Sequence, residues 1–141
     1  MKYVIMLAIV VGLALADFVT GIIKAAINHD ISSQKMRVGG QHKVMEILVM
    51  TTACGLEIGI KELGRYYQAP QLAEVAGAFA AGAVFTYILA MEIISILENY
   101  VEANPEAKWA AGIVKKLRVF QQREAEKEDQ DVHSEDKTDK R

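Results

Sequence analysis

The chain has 141 residues, enough for one compact unit and too few for two ordinary domains. Hydrophobic residues make up 52%, and the single cysteine, Cys54, rules out an internal disulfide framework or a multi-cysteine metal site. The net charge of -2 hides an uneven distribution: residues 121–141 hold five Lys/Arg and eight Asp/Glu, against eleven basic and ten acidic groups in the first 120.

The first predicted element runs from Tyr3 to Ile27, 25 apolar-rich residues. As a helix it is about 37 Å long at roughly 1.5 Å per residue, and a hydrocarbon core is about 30 Å thick. Met1-Lys2, the apolar stretch and "ALA" before Asp17 resemble a secretory signal with an A-x-A cleavage site. One lysine is a thin charged region, however, and apolar residues resume after Asp17 as "FVTGII", so a retained helix is expected. The second span, Val44 to Ile60, is interrupted by Glu46 and Glu57, and a buried or re-entrant helix is its alternative reading. The third, Leu72 to Leu97, is rich in Ala and Gly and carries Glu74 and Glu92.

Between them lie "NHDISSQKMRVGGQHK" and "KELGRYYQAPQ", whose charges, Gly and Pro fit membrane-edge loops. The expected fold is all-α: a small integral membrane protein with three transmembrane helices over residues 1–100. A soluble helical bundle competes, but core helices seldom need apolar runs this long without regular polar faces. Lys24, Lys35, Arg37 and Lys43 flank the first loop, and Lys108, Lys115, Lys116 and Arg118 follow the third span. The positive-inside rule places that loop and the C-terminus in the cytoplasm and the N-terminus outside.

Helical spacing puts Asp17, Gly21, Lys24 and Asn28 on one face, with Gly12, Ala16 and Thr20 on the neighbouring stripe. It makes Asp17–Lys24 a candidate pair, and Glu57–Lys61 an i, i+4 pair. Gly55 and Gly59 form a GxxxG pattern; Gly77 with Ala81, and Ala78 with Gly82, are small-xxx-small patterns. Such residues let helices approach closely in lipid. A carboxylate at the bilayer centre costs at least ~3 kcal/mol on insertion scales, and one small protomer offers little interior to hide several. Asp17, Glu57 and Glu92 are therefore expected at subunit contacts or a pore wall of a homo-oligomer, their ionisation biasing closed against open states. Glu46 and Glu74 are expected near membrane interfaces in structural roles.

Asn104-Pro105-Glu106 reads as a helix start. Trp109, Ile113, Leu117 and Phe120 then share a face, with Val114 beside them and Lys108, Lys115, Lys116 and Arg118 elsewhere. Residues 101–120 are thus expected as a basic amphipathic helix at the cytoplasmic membrane surface, anchored by Trp109, or as one packed on the protein itself. Residues 121–141 are expected as a charged, disordered tail.

The sequence holds no GxGxxG, GxxxxGK[ST], HExxH or GxSxG. His29, His42 and His133 fall in loops or tail without ligand spacing. No catalysis, metal or other cofactor, and no nucleic-acid partner, is implied.

"DFVTGIIKAAINHDISSQKMRVGGQHK" and the later "MEIISILEN" together resemble the toxin-secretion/phage-lysis holin family over roughly residues 3–105. The family pattern falls on Asp17, Gly21, Lys24-Ala25, Ser32-Ser33, Gly40 and Lys43, then on Glu92, Ser95, Ile96, Leu97, Glu98 and Asn99. The chain departs from it at Met91, where Asn is common, and in the "YVEAN" that separates Asn99 from Pro105. The resemblance implies a phage-encoded protein that assembles with itself in the host's cytoplasmic membrane. It opens lesions there for a cell-wall hydrolase or an exported toxin. It also adds Ser95 to the pore or contact candidates, beside Thr20 from the neighbouring stripe of the first span. The alternatives are a small ion channel, an antiholin-like membrane partner and a soluble interaction bundle.

Overall fold

The computed structural model describes residues 1–119. Three long helices dominate: α1 Lys2–Ile27, α2 Ser33–Tyr66 and α3 Pro70–Ala103. A fourth, α4, covers 108–119. The long helices run up, down and up. α3 packs along both of the others, whereas α1 and α2 touch each other less.

Both tight turns are built the same way. At the first, the Asp30 N–H donates to the Ala25 carbonyl (2.9 Å) and the His29 N–H to that of Ala26 (3.3 Å). At the second, Ala69 donates to Gly64 (2.8 Å) and Gln68 to Arg65 (3.3 Å). These are paired 6→1 and 5→2 bonds that satisfy the last carbonyls of a helix. They need a left-handed residue after the cap, and His29 (φ 54°) and Gln68 (φ 57°) supply it. Glycine is the usual occupant, so neither helix end carries its ordinary sequence mark. Ser32 caps the start of α2, its hydroxyl accepting from the Lys35 N–H, and Pro70 opens α3, where no amide donor is needed.

The helices are longer than the apolar spans. Residues 33–43, read as loop, form the first three turns of α2, and His42 lies on that helix. Gly39 and Gly40 sit inside it with no positive φ. Charge alone does not stop a helix, and the cap at Ser32 decides where this one begins. α3 likewise extends past both ends of Leu72–Leu97. The helix start expected at Asn104 is also corrected. Asn104 ends α3, its N–H donating to the Tyr100 carbonyl (2.9 Å), and α4 begins only after a turn.

Met6, Val10, Met50, Cys54, Ala81 and Ile88 form the core, with Leu7, Ile47, Val84 and Phe85 packed on it. Most large apolar side chains point outward instead: Val4, Leu15 and Val19 on α1, Leu48, Leu56 and Leu63 on α2, and Leu72, Phe79 and Tyr87 on α3. The charged groups Asp17, Glu57 and Glu92 are buried. Apolar outside and charged inside reverses the order of a water-soluble bundle. α1 and α3 are each long and apolar enough to cross a membrane; α2 is long enough, but its charges exclude it by composition.

The small residues divide into two groups. Gly77 faces the backbone of Glu57, where a Cβ would come within 3.1 Å of the Glu57 carbonyl oxygen. Ala81 is fully buried. A Cβ on Gly64 would overlap that of Ala73 at 2.1 Å, so this pair sets how closely α2 approaches α3. Gly12, Gly55, Gly59 and Gly82 have nothing within 4 Å of a Cβ and make no such approach within the chain.

Gly64→Ala should therefore cost about 1–3 kcal/mol by forcing α2 from α3. Gly59→Ala should be neutral or raise stability by up to about 1 kcal/mol through helix propensity. Thermal unfolding followed by circular dichroism in detergent separates the two, and equal melting points would contradict this packing.

Candidate functional site

The buried charges form two layers. Lys2 and Asp17 are fifteen residues apart on α1 and Lys43 and Glu57 fourteen apart on α2, which separates the layers by about 21–22 Å along the helices. The apolar core fills the space between them.

The layer at Asp17 joins all three long helices. The Lys43 ammonium lies 2.7 Å from Asp17 Oδ2 on α1 and 2.8 Å from Glu92 Oε2 on α3. A further contact reaches Glu46 Oε2, one turn along α2, at 3.4 Å. Asn99 donates through Nδ2 to Asp17 Oδ1 (2.9 Å) and, more weakly, to Thr20 Oγ1 (3.3 Å). The Thr20 hydroxyl in turn donates to the Asp17 carbonyl (2.9 Å). Gly21 leaves room for this: a Cβ there would stand 3.6 Å from Asn99 Nδ2. One cation thus faces three carboxylates, and a single side chain from each of three helices meets at one nitrogen.

A cavity of about 500 Å³ opens beside this layer. Asp17, Lys24, Lys35, Lys43, Ser95, Asn99 and Glu102 line it together with apolar side chains such as Phe18, Ile22 and Met36. Lys24 does not pair with Asp17, as helical spacing suggested. It lies 3.3 Å from Glu102 on α3. Asp17 turns instead toward α2, where Lys43 offers a closer and less exposed partner.

The second layer is centred on Glu57, which is fully buried. Lys2 donates to both of its carboxylate oxygens (2.8 and 3.0 Å), and Lys61 donates to Oε1 at 2.8 Å, the i, i+4 pair the spacing suggested. Both lysines keep part of their length exposed, as snorkelling side chains do. Glu57 and Glu92 are 0% and 1% exposed. The expectation that one chain cannot hide several acids is thereby corrected: the interior of a single protomer accommodates them by pairing each with a lysine. The three acids do not share one face, since Glu57 belongs to the far layer.

α4 returns to α3. Arg118 Nε donates to Glu98 (2.7 Å), and the Trp109 ring sits 6.1 Å from that of Tyr100. The Glu98 carboxylate holds the Arg118 guanidinium above even its ordinary high pKa. Ala107, just before α4, and Ala110 within it are buried, with Val114 and Leu117 half-buried, whereas Trp109 and Ile113 face outward. That differs from the single face expected for Trp109, Ile113 and Leu117. Small residues, not the large ones, are what let α4 lie close. Lys115 and Lys116 are exposed, and Phe120 and the tail lie outside the described residues.

Several of the sequence candidates converge: Asp17, Thr20, Gly21, Lys24, Lys43, Glu92, Ser95 and Asn99 surround one cluster and its cavity. Ser32 and Ser33 sit at the start of α2, and Gly40 lines a small apolar groove between α1 and α2. The central role of Lys43, the partnership of Asn99 and the contact to Glu46 were not read from periodicity. A signal existed for Lys43, which lies about as far after the first turn as Asp17 lies before it. In an antiparallel pair that places both at one depth.

Such a chain, apolar outside and ion-paired within, has the build of a small all-α membrane protein. Its sequence matches the model of the bacteriophage holin family over residues 2–122, and the chain belongs to that family, which is not one of enzymes. No curated protein and no solved structure matches it. The family is the one that the Asp17–Lys43 and Glu92–Asn99 motifs resemble.

Replacing Lys43 leaves Asp17 and Glu92 buried without a counter-charge. Lys43→Met should cost about 3–5 kcal/mol, while Lys24→Met, whose partner is half exposed, should cost no more than about 1 kcal/mol. Denaturation midpoints in mixed micelles measure the difference. Equal losses would remove Lys43 from its central place.

Proposed function

We propose that the chain acts as a holin: it accumulates in the bacterial cytoplasmic membrane, associates with itself and opens lesions that release a cell-wall hydrolase or an exported toxin. The observation that carries this reading is family membership together with a protomer whose charges are locked inside and whose outer surface is apolar. Contacts between copies must then form on that outer surface. Gly12, Gly55 and Gly59 are exposed there, with open space where a Cβ would stand, and allow close approach of a second helix.

On this reading α2 is the third span. Glu57 turns fully inward, one oxygen of Glu46 is buried in the Lys43 cluster, and the Thr51 and Thr52 hydroxyls donate to the Ile47 and Leu48 carbonyls, which satisfies those donors away from water. The span then runs from the level of Lys61 to that of Arg37. Lys35, Arg37, Lys115 and Lys116 face the cytoplasm and the N-terminus lies outside. α4 lies at the inner surface with Trp109 in the headgroup region and its exposed lysines toward anionic lipid. Opening brings the Asp17–Glu92 layer against water, and the pore roles of Asp17 and Glu92 belong to that state, while Glu57 stays paired with Lys2 and Lys61.

Inducible expression beside a cytoplasmic cell-wall hydrolase lacking a signal peptide tests the proposal. Abrupt lysis that requires both proteins is expected, with release of a folded reporter. Gly55→Leu/Gly59→Leu, distant from every contact inside the chain, should delay or abolish lysis without lowering the melting point. Loss of membrane potential without hydrolase release would identify a small ion channel instead. Silence on both counts, with insertion confirmed, would identify an antiholin-like partner.

A further inference from the structure

Two hollows adjoin at the end of the bundle that carries the first turn. The cavity beside the Lys43 cluster shares Phe18 and Lys43 with an apolar groove of about 230 Å³ between α1 and α2. Val11, Leu15, Val44 and Ile47 wall that groove. It follows α1 from Phe18 to Val11, seven residues or about 10 Å, away from the turn and toward the middle of the helix. Its place is the seam between α1 and α2, the least closely packed pair among the three long helices.

The two hollows differ in chemistry. Three cations, Lys24, Lys35 and Lys43, and three carboxylates, Asp17, Asp30 and Glu102, line the cavity. Lys43 is held by Asp17 and Glu92. The other two lysines form the pairs Lys24–Glu102 and Lys35–Asp30, whose side chains are exposed in part or in most of their length. Such pairs exchange partners with little loss. The groove carries no charge except the Lys43 ammonium where it meets the cavity. A charge-balanced polar chamber thus continues into an apolar channel, which is the complement of an amphiphile with a zwitterionic head.

Two glycines mark the same place. Gly39 lines the cavity and Gly40 the groove. Both lie inside α2 without a positive φ, so no turn requires them, and glycine weakens a helix interior. Nothing in the chain stands within 4 Å of a Cβ at either position, so they admit no neighbouring helix of the same chain. The room they leave is open to a molecule from outside.

We propose that the cavity and groove together seat one zwitterionic phospholipid with a primary-amine headgroup, of the phosphatidylethanolamine class. Lys24 and Lys35 donate to its phosphate, and Glu102 and Asp30 accept from its ammonium. One acyl chain lies in the groove across Gly40 and fills the seam between α1 and α2. A headgroup of net negative charge would stand unmatched beside the three carboxylates. The inference rests on the membrane placement proposed above, with the first turn at headgroup level, and holds whether or not the protein opens lesions.

Native mass spectrometry of the purified full chain in detergent tests it, with equal amounts of phosphatidylethanolamine and phosphatidylglycerol carrying the same acyl chains. The chain should retain one phosphatidylethanolamine, with a preference of about tenfold over phosphatidylglycerol. Glycerophosphoethanolamine, the headgroup without acyl chains, should bind far more weakly. Gly40→Leu should lose most of the retained lipid with an unchanged melting point by circular dichroism. Gly82→Leu, on an open face of α3, should retain it as the native chain does. Retention of neither lipid, or equal retention of both, overturns the proposal. So does full-strength binding of the headgroup alone or undiminished retention by Gly40→Leu, since either removes the groove from the site. The comparison of lipids uses the native chain, so a misfolded variant does not decide the outcome. A chain that lyses cells without retaining the lipid overturns this inference and leaves the holin reading in place; one that retains the lipid without lysing cells does the reverse.

Discussion

The rest of the molecule depends on one nitrogen. Lys43 Nζ is the only atom among the described residues within ion-pair distance of a carboxylate on each of the three long helices. Apolar packing fixes how near the helices come, and the glycines at 64 and 77 set that distance between α2 and α3. Packing between smooth apolar surfaces does not fix how far one helix slides along another. A buried ion pair does, because a slip of one turn leaves an uncompensated charge inside. The Lys43 layer and the Glu57 layer pin the register at two depths. The core between them can then be small and irregular, with methionine and alanine filling it.

The same constraint explains the outer surface. With charges consumed in internal pairs, α2 presents Val44, Met45, Leu48 and Val49 outward beside the apolar faces of α1 and α3. A helix whose composition counts against crossing a membrane thus shows nothing of Glu57 at its outer face and only part of Glu46. Composition counts charges wherever they point; a membrane meets only the outward ones. The third span proposed above follows from that distinction.

Much of this was legible in the residues. The apolar runs gave the three long helices, and the face of Asp17, Gly21 and Lys24 is the face that α1 turns to the cavity. The i, i+4 rule gave Glu57–Lys61. Helix ends were not legible, because His29 and Gln68 hold a backbone conformation that glycine usually marks. Partners between helices were not legible either. Periodicity assigns a residue to a face of its own helix and says nothing of which helix lies opposite, so Asp17 was matched with Lys24 and not with Lys43. Lys2 clasps Glu57 from the far end of α1, a pairing across 55 residues that no local rule contains.

The two layers differ in how they meet water, and under the proposed holin role that asymmetry bears on how the protomer would open. Glu57 is held by two lysines that still reach solvent, so its charge is matched and its partners are hydrated at little cost. The Lys43 layer has the reverse balance, several acids on one base, with its base largely enclosed and a cavity leading to it from one end. Hydration adds little to the first layer and much to the second, because unpaired carboxylate oxygens gain most from water. A protomer that opens should therefore part first at the Asp17–Lys43–Glu92 end, while the Glu57 layer keeps the far ends of α1 and α2 together.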